Sequence, residues 1–271
     1  MITFTDSISH LIKQRYSVRT YQNRSLTPEL IHQIKQAFQD VSTPFTVKPR
    51  FKFIEMSEFK NQSIKLGTYG MIKDAQDFVG VACEKSEFDL LAIGYAFEQL
   101  ILYLTSQGLG TCWMGGTFNK TNFSKVMEVK ENEIFPIVSP VGYEADKKRF
   151  IESLISRNSH HRLEFSKLFF KQNFETSLTE SEAGDYFEAL ENVRLAPSAL
   201  NKQPWRVVKQ GADFHFYIDQ EHHFKYIDLG IALCHFHLTM LEKGYDGTFN
   251  VQNPYLETNN HYVISWISAK N

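Results

Sequence analysis

Several features that mark large protein classes are scarce or absent in this sequence. The three cysteines are odd in number and form no C-x-x-C pair, which excludes a disulfide framework and a zinc knuckle and favours a reducing cytoplasm. Lys and Arg number 29 against 31 Asp and Glu, so the basic excess of a nucleic-acid-binding protein is missing. The most apolar stretch, 90–104, is interrupted by Glu98 and Gln99 and is too short to span a bilayer. The first 15 residues lack the apolar core of a signal peptide, so we expect a soluble cytoplasmic protein that binds neither nucleic acid nor membrane.

Hydrophobic residues make up 42% of the 271 residues, which is ordinary for a globular protein and sufficient for a sizeable core. Aromatic residues are the unusual part of the composition, at 14%, with 23 Phe and 12 Tyr. An aromatic-rich core accounts for them, and a pocket for a flat ligand is the alternative interpretation.

Four histidines lie near one another in the sequence, at His222, His223, His235 and His237. A metal site would explain such a group. However, residues two apart on a helix point in different directions, and no cysteine or carboxylate stands at ligand spacing from them. We therefore predict no metal site.

An internal repeat is visible in the sequence. Ser25–Thr27 recurs as Ser177–Thr179, 152 residues later, and each triplet precedes a helical pattern that its Thr can cap. Gly94, Ala96, Leu102 and Gly108 recur 136 residues later as Gly230, Ala232, Leu238 and Gly244. The two matched blocks occur in the same order, which predicts a duplication with halves at 1–150 and 151–271.

Both halves follow the order helix, helix, strand, strand, long apolar helix and strand, which predicts an α+β fold. The long helices, Asp89–Gln107 and Asp228–Lys243, are expected to pack together. No Pro-, Gly- or Ser-rich linker separates the halves, so we predict one compact unit with internal pseudo-two-fold symmetry. The predicted strands are Arg50–Met56, Phe78–Cys83, Pro136–Tyr143, Trp205–Lys209, Phe214–Ile218 and His261–Ile267.

The first candidate binding block is Arg15–Arg19, just after an amphipathic helix. In an extended segment, Arg15, Ser17 and Arg19 share one side. Two guanidinium groups and a hydroxyl suit a phosphate, which arginine binds through two hydrogen bonds. The pattern is short, and a solvated turn is the alternative interpretation.

The second block is Ala196–Trp205, in which two prolines stiffen the chain ahead of a strand. Ser198, Asn201 and Gln203 present hydroxyl and amide groups from this loop. Such a loop suits recognition of a polar, flat heterocycle.

The third block is Gly108–Gly116, at the end of the first long helix. Gly108 and Gly110 are typical of a helix C-terminus, and Gly115 and Gly116 would let backbone N–H groups approach a ligand. The block lacks the sequence of a P-loop and of a dinucleotide-binding turn. Cys112 lies within it, and a packing role is favoured over a reactive thiol.

Together and in order, these blocks resemble the signature of the nitroreductase-like FMN-dependent oxidoreductases. The closest resemblance is to the fused subgroup called putative TM nitroreductases, to which Gly67–Gly70 and Val141–Tyr143 are also similar. The resemblance implies a nitroreductase fold and an FMN cofactor. It also implies that NAD(P)H passes hydride to the flavin, and that an electron-poor small molecule, such as a nitroaromatic or a quinone, then takes it. No side-chain acid or base is expected to be catalytic.

One departure from the family pattern concerns the number of sites. Unfused relatives build two FMN sites across a dimer. Here the first half has 40–50 in place of the second block, Ala196–Trp205, which we call the Pro-Ser loop. The second half has Tyr245–Gly247 in place of the glycine-rich block, and its Arg157–Ser159 matches the first block only weakly. The remaining blocks complement one another, so we expect one FMN per chain and a monomer or a weak dimer.

The resemblance also implies which residues bind FMN. The Arg15–Arg19 block would hold the phosphate and ribityl end or the pyrimidine edge, the Pro-Ser loop would line the isoalloxazine ring, and the Met114–Gly116 backbone would donate toward the flavin. Lys147, Lys148 and Arg149 would add phosphate contacts, a solvated basic turn being the alternative. The predicted set is Arg15, Ser17, Arg19, Tyr69, Thr111, Met114, Gly115, Gly116, Lys147, Arg149, Pro197, Ser198, Asn201 and Gln203.

Two further functions stay open on the sequence alone. A flavin-binding protein without turnover, a sensor or a store, is consistent with the loss of one ancestral site. A flavin enzyme with a narrow substrate shares every block, because variable loops build the substrate face.

Overall fold

The computed structural model describes residues 2–59, 64–147, 161–219 and 221–269. In the first half, the helices are α1 (Ile8–Gln14), α2 (Pro28–Asp40), α3 (Asp89–Ser106) and α4 (Lys120–Met127). Its strands are β1 (Arg50–Glu55), β2 (Asp77–Glu84), β3 (Gly110–Thr111) and β4 (Glu133–Gly142). In the second half, the helices are α5 (Phe165–Leu168), α6 (Glu180–Ala183), α7 (Phe187–Leu195) and α8 (Lys225–Glu242). The strands there are β5 (Phe169–Lys171), β6 (Trp205–Gln210), β7 (Asp213–Ile218), β8 (Gly247–Asn250) and β9 (His261–Ser268).

The strands form two separate sheets, one in each half. The first has the order β1-β2-β4-β3 and is antiparallel throughout. The second has the order β5-β6-β7-β9-β8, with β5 parallel to β6 and the other pairs antiparallel. One hydrophobic core contains residues of both sheets and of both long helices, so the two halves share a single interior.

The two long helices, α3 and α8, pack directly against each other at a pair of glycines. A Cβ on Gly94 would lie 2.2 Å from the carbonyl oxygen of Ile227, and a Cβ on Gly230 would lie 2.3 Å from that of Leu91. Only hydrogen fits at both positions, so the glycines allow the backbones to approach closely. The predicted contact between the long helices is confirmed.

The sequence signals for helix ends are also confirmed. The Thr27 side chain accepts a hydrogen bond from the N–H of Leu30 at the start of α2, and Thr179 forms a capping box with Glu182 at the start of α6. Gly108 and Gly244 follow the two long helices with φ angles of +70° and +79°, a conformation that favours glycine at this position.

All six predicted strands are present, with ends within three residues of those predicted. Other details differ from expectation. Gly110 begins β3 instead of capping α3, and only a residue without Cβ fits there, since a Cβ would lie 2.8 Å from the Val18 side chain. In the described part of the second half, two four-residue helices, α5 and α6, lie on either side of β5, a strand that the sequence did not predict. Helices this short show no apolar period in the sequence.

In the described part of the chain, no helix combines the length and the apolar character that crossing a membrane requires.

Candidate functional site

The Arg15–Arg19 segment lies along β3, so the first and third sequence blocks are adjacent. Ser17 forms a parallel bridge with Thr111, and the N–H of Val18 donates to the Thr111 carbonyl at 2.9 Å. Thr111 is buried. The segment turns into this position directly after α1, because Arg15 takes an extended conformation at the helix end.

Arg15 is held between the two halves by a buried carboxylate. Its side chain is 7% exposed, and Nε lies 3.6 Å from Oε1 of the fully buried Glu98. Its Nη atoms form no hydrogen bond within the described residues, and they are not fully shielded from solvent. Arg19 donates from Nη1 to the Ser17 carbonyl at 3.3 Å. Arg15 therefore keeps two charged donors available for an anion.

The Pro-Ser loop, Ala196–Trp205, is fixed by bonds to its own atoms and to α8. The N–H of Ala199 donates to both carboxylate oxygens of Asp228, each at 3.0 Å, and the N–H of Gln203 donates to Ser198 Oγ at 2.8 Å. Leu200, Asn201 and Gln203 have φ angles between 49° and 55°. Non-glycine residues adopt such angles where surrounding contacts compensate the strain, which is consistent with the stiff loop that the sequence predicts.

The polar side chains of this loop have partners that the sequence did not indicate. Asn201 donates from Nδ2 to the His161 carbonyl at 2.6 Å, and Gln203 accepts from the N–H of Leu163 at 2.9 Å. Gln203 is buried. Both amides thus tie the loop to residues 161–163, and their contact with a ligand ring stays a prediction.

Arg162 is a site residue that sequence reasoning missed. Its Nη1 donates to Asn201 Oδ1 at 2.8 Å, and its Nη2 donates to the Leu195 carbonyl at 3.2 Å. Burial, together with the nearby charges of Arg15 and Arg194, lowers the pKa of Arg162 to about 10. Arg162 belongs to no recognisable motif, and no local sequence pattern indicated its contact with the Pro-Ser loop.

Two positive charges, those of Arg15 and Arg162, lie near each other at this junction. The positive charge of Arg15, from the first half, disfavours the charged form of Arg162, from the second. The first block supplies Arg15, and the second is bonded to Arg162 through Asn201. An anion bound here would relieve the repulsion and take up the donors of Arg15.

The glycine-rich block ends beside the start of α8. Met114 is buried and pairs with Val138 of β4. A Cβ on Gly115 would lie 2.4 Å from the Phe224 ring, so Gly115 makes room for this aromatic side chain. Gly116, by contrast, has no described atom within 4 Å of the place where a Cβ would lie. The backbone is therefore open at Gly116, whereas at Gly115 the Phe224 ring covers it.

A buried acid lies beneath the Pro-Ser loop. Burial raises the pKa of Asp228 to about 7, although the Ala199 N–H and the charge of Lys202 act in the opposite direction. His222 Nε2 lies 3.5 Å from this carboxylate, and burial lowers the pKa of His222. The loop is thus anchored by a carboxyl that changes charge near neutral pH.

The remaining predicted residues lie elsewhere or outside the described residues. Tyr69 is 71% exposed with a φ of 49°, and Lys147 is exposed. Their predicted FMN contacts stay predictions. Lys148, Arg149 and Arg157 fall outside the described residues.

The clustered histidines and Cys112 have the surroundings of structural residues, not of metal ligands or reactive groups. His235 and His237 point to different partners, Glu98 and Tyr95 respectively. Within the described residues, no group of histidine, cysteine, aspartate or glutamate side chains could hold a metal ion. Cys112 is buried among apolar side chains, which confirms its packing role.

Comparison with known proteins assigns the family. The family model described as "Putative TM nitroreductase" matches residues 7–240, which include all three blocks. The chain belongs to this nitroreductase family.

The nitroreductase assignment agrees with the fold of a solved structure. The "putative nitroreductase" of Thermotoga maritima MSB8 is similar over 98% of this chain and 96% of that one, with a TM-score of 0.64 and 22% identity. This likeness shows that the two chains share the mixed α and β fold with two sheets.

A curated relative covers half of the chain. A "Putative NADH dehydrogenase/NAD(P)H nitroreductase" of Methanothermobacter thermautotrophicus is 28% identical over 145 residues, which are 50% of this chain and 76% of that protein. A nitroreductase of Bacteroides fragilis, solved with bound FMN, is 20% identical and covers 54% of this chain and 92% of its own, with a TM-score of 0.43. Family membership indicates flavin-dependent oxidoreduction as the general activity.

Proposed function

We propose that this nitroreductase-family protein binds FMN and carries electrons from NAD(P)H to an electron-poor acceptor such as a nitroaromatic or a quinone. The observation that carries the proposal is the junction at Arg15. There the buried side chain of Arg15 keeps donors available, and its charge acts on the half-buried Arg162, which bonds the Pro-Ser loop through Asn201.

The residues present fit FMN. Arg15 and Arg162 offer charge for its phosphate or for the polar edge of its ring, and the exposed backbone at Gly116 leaves space for a flat group. When bound, FMN would supply the two-electron chemistry, which no side chain of the protein provides. The protein's own part is to orient the flavin and to hold its charge, through the rigid Pro-Ser loop and the arginines.

The site is proposed to occur once per chain. Arg15 and the glycine-rich block come from the first half, while Arg162 and the Pro-Ser loop come from the second. Because one chain supplies both sets, we propose that the chain is a duplicated, dimer-like monomer that needs no second copy to bind flavin.

Titration of the apo-protein with FMN, followed by flavin fluorescence, tests the proposal. We expect saturation at one FMN per chain, and sedimentation with flavin absorbance should show the flavin on monomers. Arg15→Ala should weaken FMN about tenfold or more, because charge-assisted hydrogen bonds contribute roughly 1.5–3 kcal/mol each. Absence of binding by the wild-type protein, or saturation at two, would refute the single flavin site.

Arg50 is the matched control for Arg15. It also pairs with a largely buried carboxylate, Glu133 Oε1 at 2.6 Å, and donates to the carbonyls of Met127 and Glu128. Arg50→Ala should leave FMN affinity within about threefold, the scatter expected of a change remote from the site. Oxidation of NAD(P)H in the presence of menadione or a nitroaromatic then tests turnover separately from binding.

A further inference from the structure

A fully buried ionisable pair joins the two long helices next to the candidate site. Glu98 of α3 and His235 of α8 are both 0% exposed, and Oε1 of Glu98 lies 2.9 Å from Nε2 of His235. Neither residue belongs to the predicted flavin-binding set. Burying such a pair is costly unless its charges and hydrogen bonds are matched by those of its neighbours.

The hydrogen-bond partners determine how many protons the pair holds. His235 Nδ1 lies 2.8 Å from the backbone carbonyl of Asn192, which can only accept, so Nδ1 carries a hydrogen. The contact between Nε2 and Oε1 needs one more proton, on either the ring or the carboxyl. Glu98 and His235 together are therefore neutral, as imidazolium with carboxylate or as imidazole with carboxylic acid.

The other neighbours of Glu98 place this proton on the histidine. Trp113 donates from Nε1 to Oε2 at 2.9 Å, and the positive charge of Arg15 lies 3.6 Å from Oε1. Both favour an ionised carboxylate. Among the described residues, Cys234 also faces Glu98; it is fully buried, and burial raises the pKa of its thiol well above the usual range, so it adds no charge.

Asn192, whose backbone carbonyl accepts from His235, is itself held in place by hydrogen bonds of its side chain. Its side-chain Nδ2 donates to Ser9 Oγ at 2.8 Å and to Thr239 Oγ1 at 2.9 Å. These bonds tie α7 to α1 and α8, so the Asn192 carbonyl cannot turn away from His235 without breaking buried bonds.

We propose that His235 is a buried imidazolium that neutralises Glu98, so that Glu98 can position Arg15 and Trp113 without cancelling the charge of Arg15. Without the imidazolium, the carboxylate would form a neutral pair with Arg15 and weaken its hold on an anion. With it, the three groups carry a net charge of about +1. His235 is thus a positioning residue for the flavin site, and this part of the inference rests on the proposed function.

Nitrogen NMR of the histidine rings shows whether His235 carries both ring protons, and this measurement needs no flavin. In wild-type protein labelled with ¹⁵N, at pH 8, we expect hydrogens on both ring nitrogens of His235, although a free histidine is neutral there. His237 is the internal control. It also lies on α8, is half-buried, bonds Tyr95 through Nδ1 at 2.8 Å, and has its pKa lowered by burial to about 4. It should show one bare nitrogen, and a bare nitrogen on His235 would overturn the proposal.

A charge-rescue experiment tests the effect on the anion site. His235→Gln leaves Glu98 facing Arg15 alone and should weaken FMN about tenfold, whereas Glu98→Gln with His235→Gln removes both charges and should return affinity to within about threefold of wild type. His237→Gln should change affinity little. A double variant that binds no better than His235→Gln would refute the charge role.

The two experiments separate this inference from the proposed function. If wild-type protein binds no FMN, the proposed function fails, while the ring protonation of His235 is still decided by NMR. Should His235→Gln fail to fold, the wild-type spectrum alone supports or overturns the imidazolium.

Discussion

Replacing Asp228 with Asn should make the protein more stable at pH 8 than the wild type. Asp228 is 3% exposed, and its carboxylate accepts the Ala199 N–H that anchors the Pro-Ser loop. An amide oxygen can accept the same hydrogen bond, so the substitution keeps the contact and removes only the ionisation.

The expected magnitude follows from the pKa. Burial raises the pKa of Asp228 from 3.8 to about 7, and each pKa unit corresponds to about 1.4 kcal/mol, which gives about 4 kcal/mol. Because the pKa is higher in the folded state, the contribution of the protonated Asp228 to stability is fully present below pH 3.8. It is lost as the pH rises through about 7, where the buried carboxyl must ionise.

Urea denaturation of both proteins between pH 4 and pH 8.5 measures the effect. The free energy of unfolding of Asp228→Asn minus that of the wild type should increase by up to about 4 kcal/mol across this range. Asp89→Asn is the matched control, because Asp89 lies in the first turn of the other long helix and bonds backbone N–H groups in a half-buried position. A difference for Asp228→Asn that does not change with pH would refute the reasoning.

The remaining predictions concern glycines at close contacts, all measured by urea denaturation. Gly94→Ala should lower the free energy of unfolding by about 1–3 kcal/mol, because its Cβ would lie 2.2 Å from the Ile227 carbonyl oxygen. A decrease below about 0.5 kcal/mol would contradict the close contact between the helices. Gly115→Ala should lower the free energy of unfolding by about 1–3 kcal/mol in the wild type, because its Cβ would contact the Phe224 ring. In a Phe224→Ala background the same change should have almost no effect. Equal decreases in both backgrounds would contradict the contact. Gly116→Ala is the control and should change stability by less than about 0.5 kcal/mol.

Much of the candidate site could be predicted from the sequence, because its blocks are local. The pattern of Arg15–Arg19 and the prolines around Ser198 act over a few residues, and they fold as the sequence indicates. Arg162 could not be predicted, because its role depends on Asn201, 39 residues later. The partner of Gly115, Phe224, comes from the other half, and a contact over that separation leaves no local pattern.

The sequence by itself determined six of the strands, the two long helices, the helix caps and the family, since apolar periodicity, Thr at helix starts and the order of motifs are properties of short segments. Only the tertiary structure decided which charges meet. Glu98 and His235 are 137 residues apart, and their contact exists because Gly94 and Gly230 let the two long helices approach closely. In that dry interior, the partners of a carboxylate and an imidazole govern where the proton resides, and no sequence pattern specifies those partners.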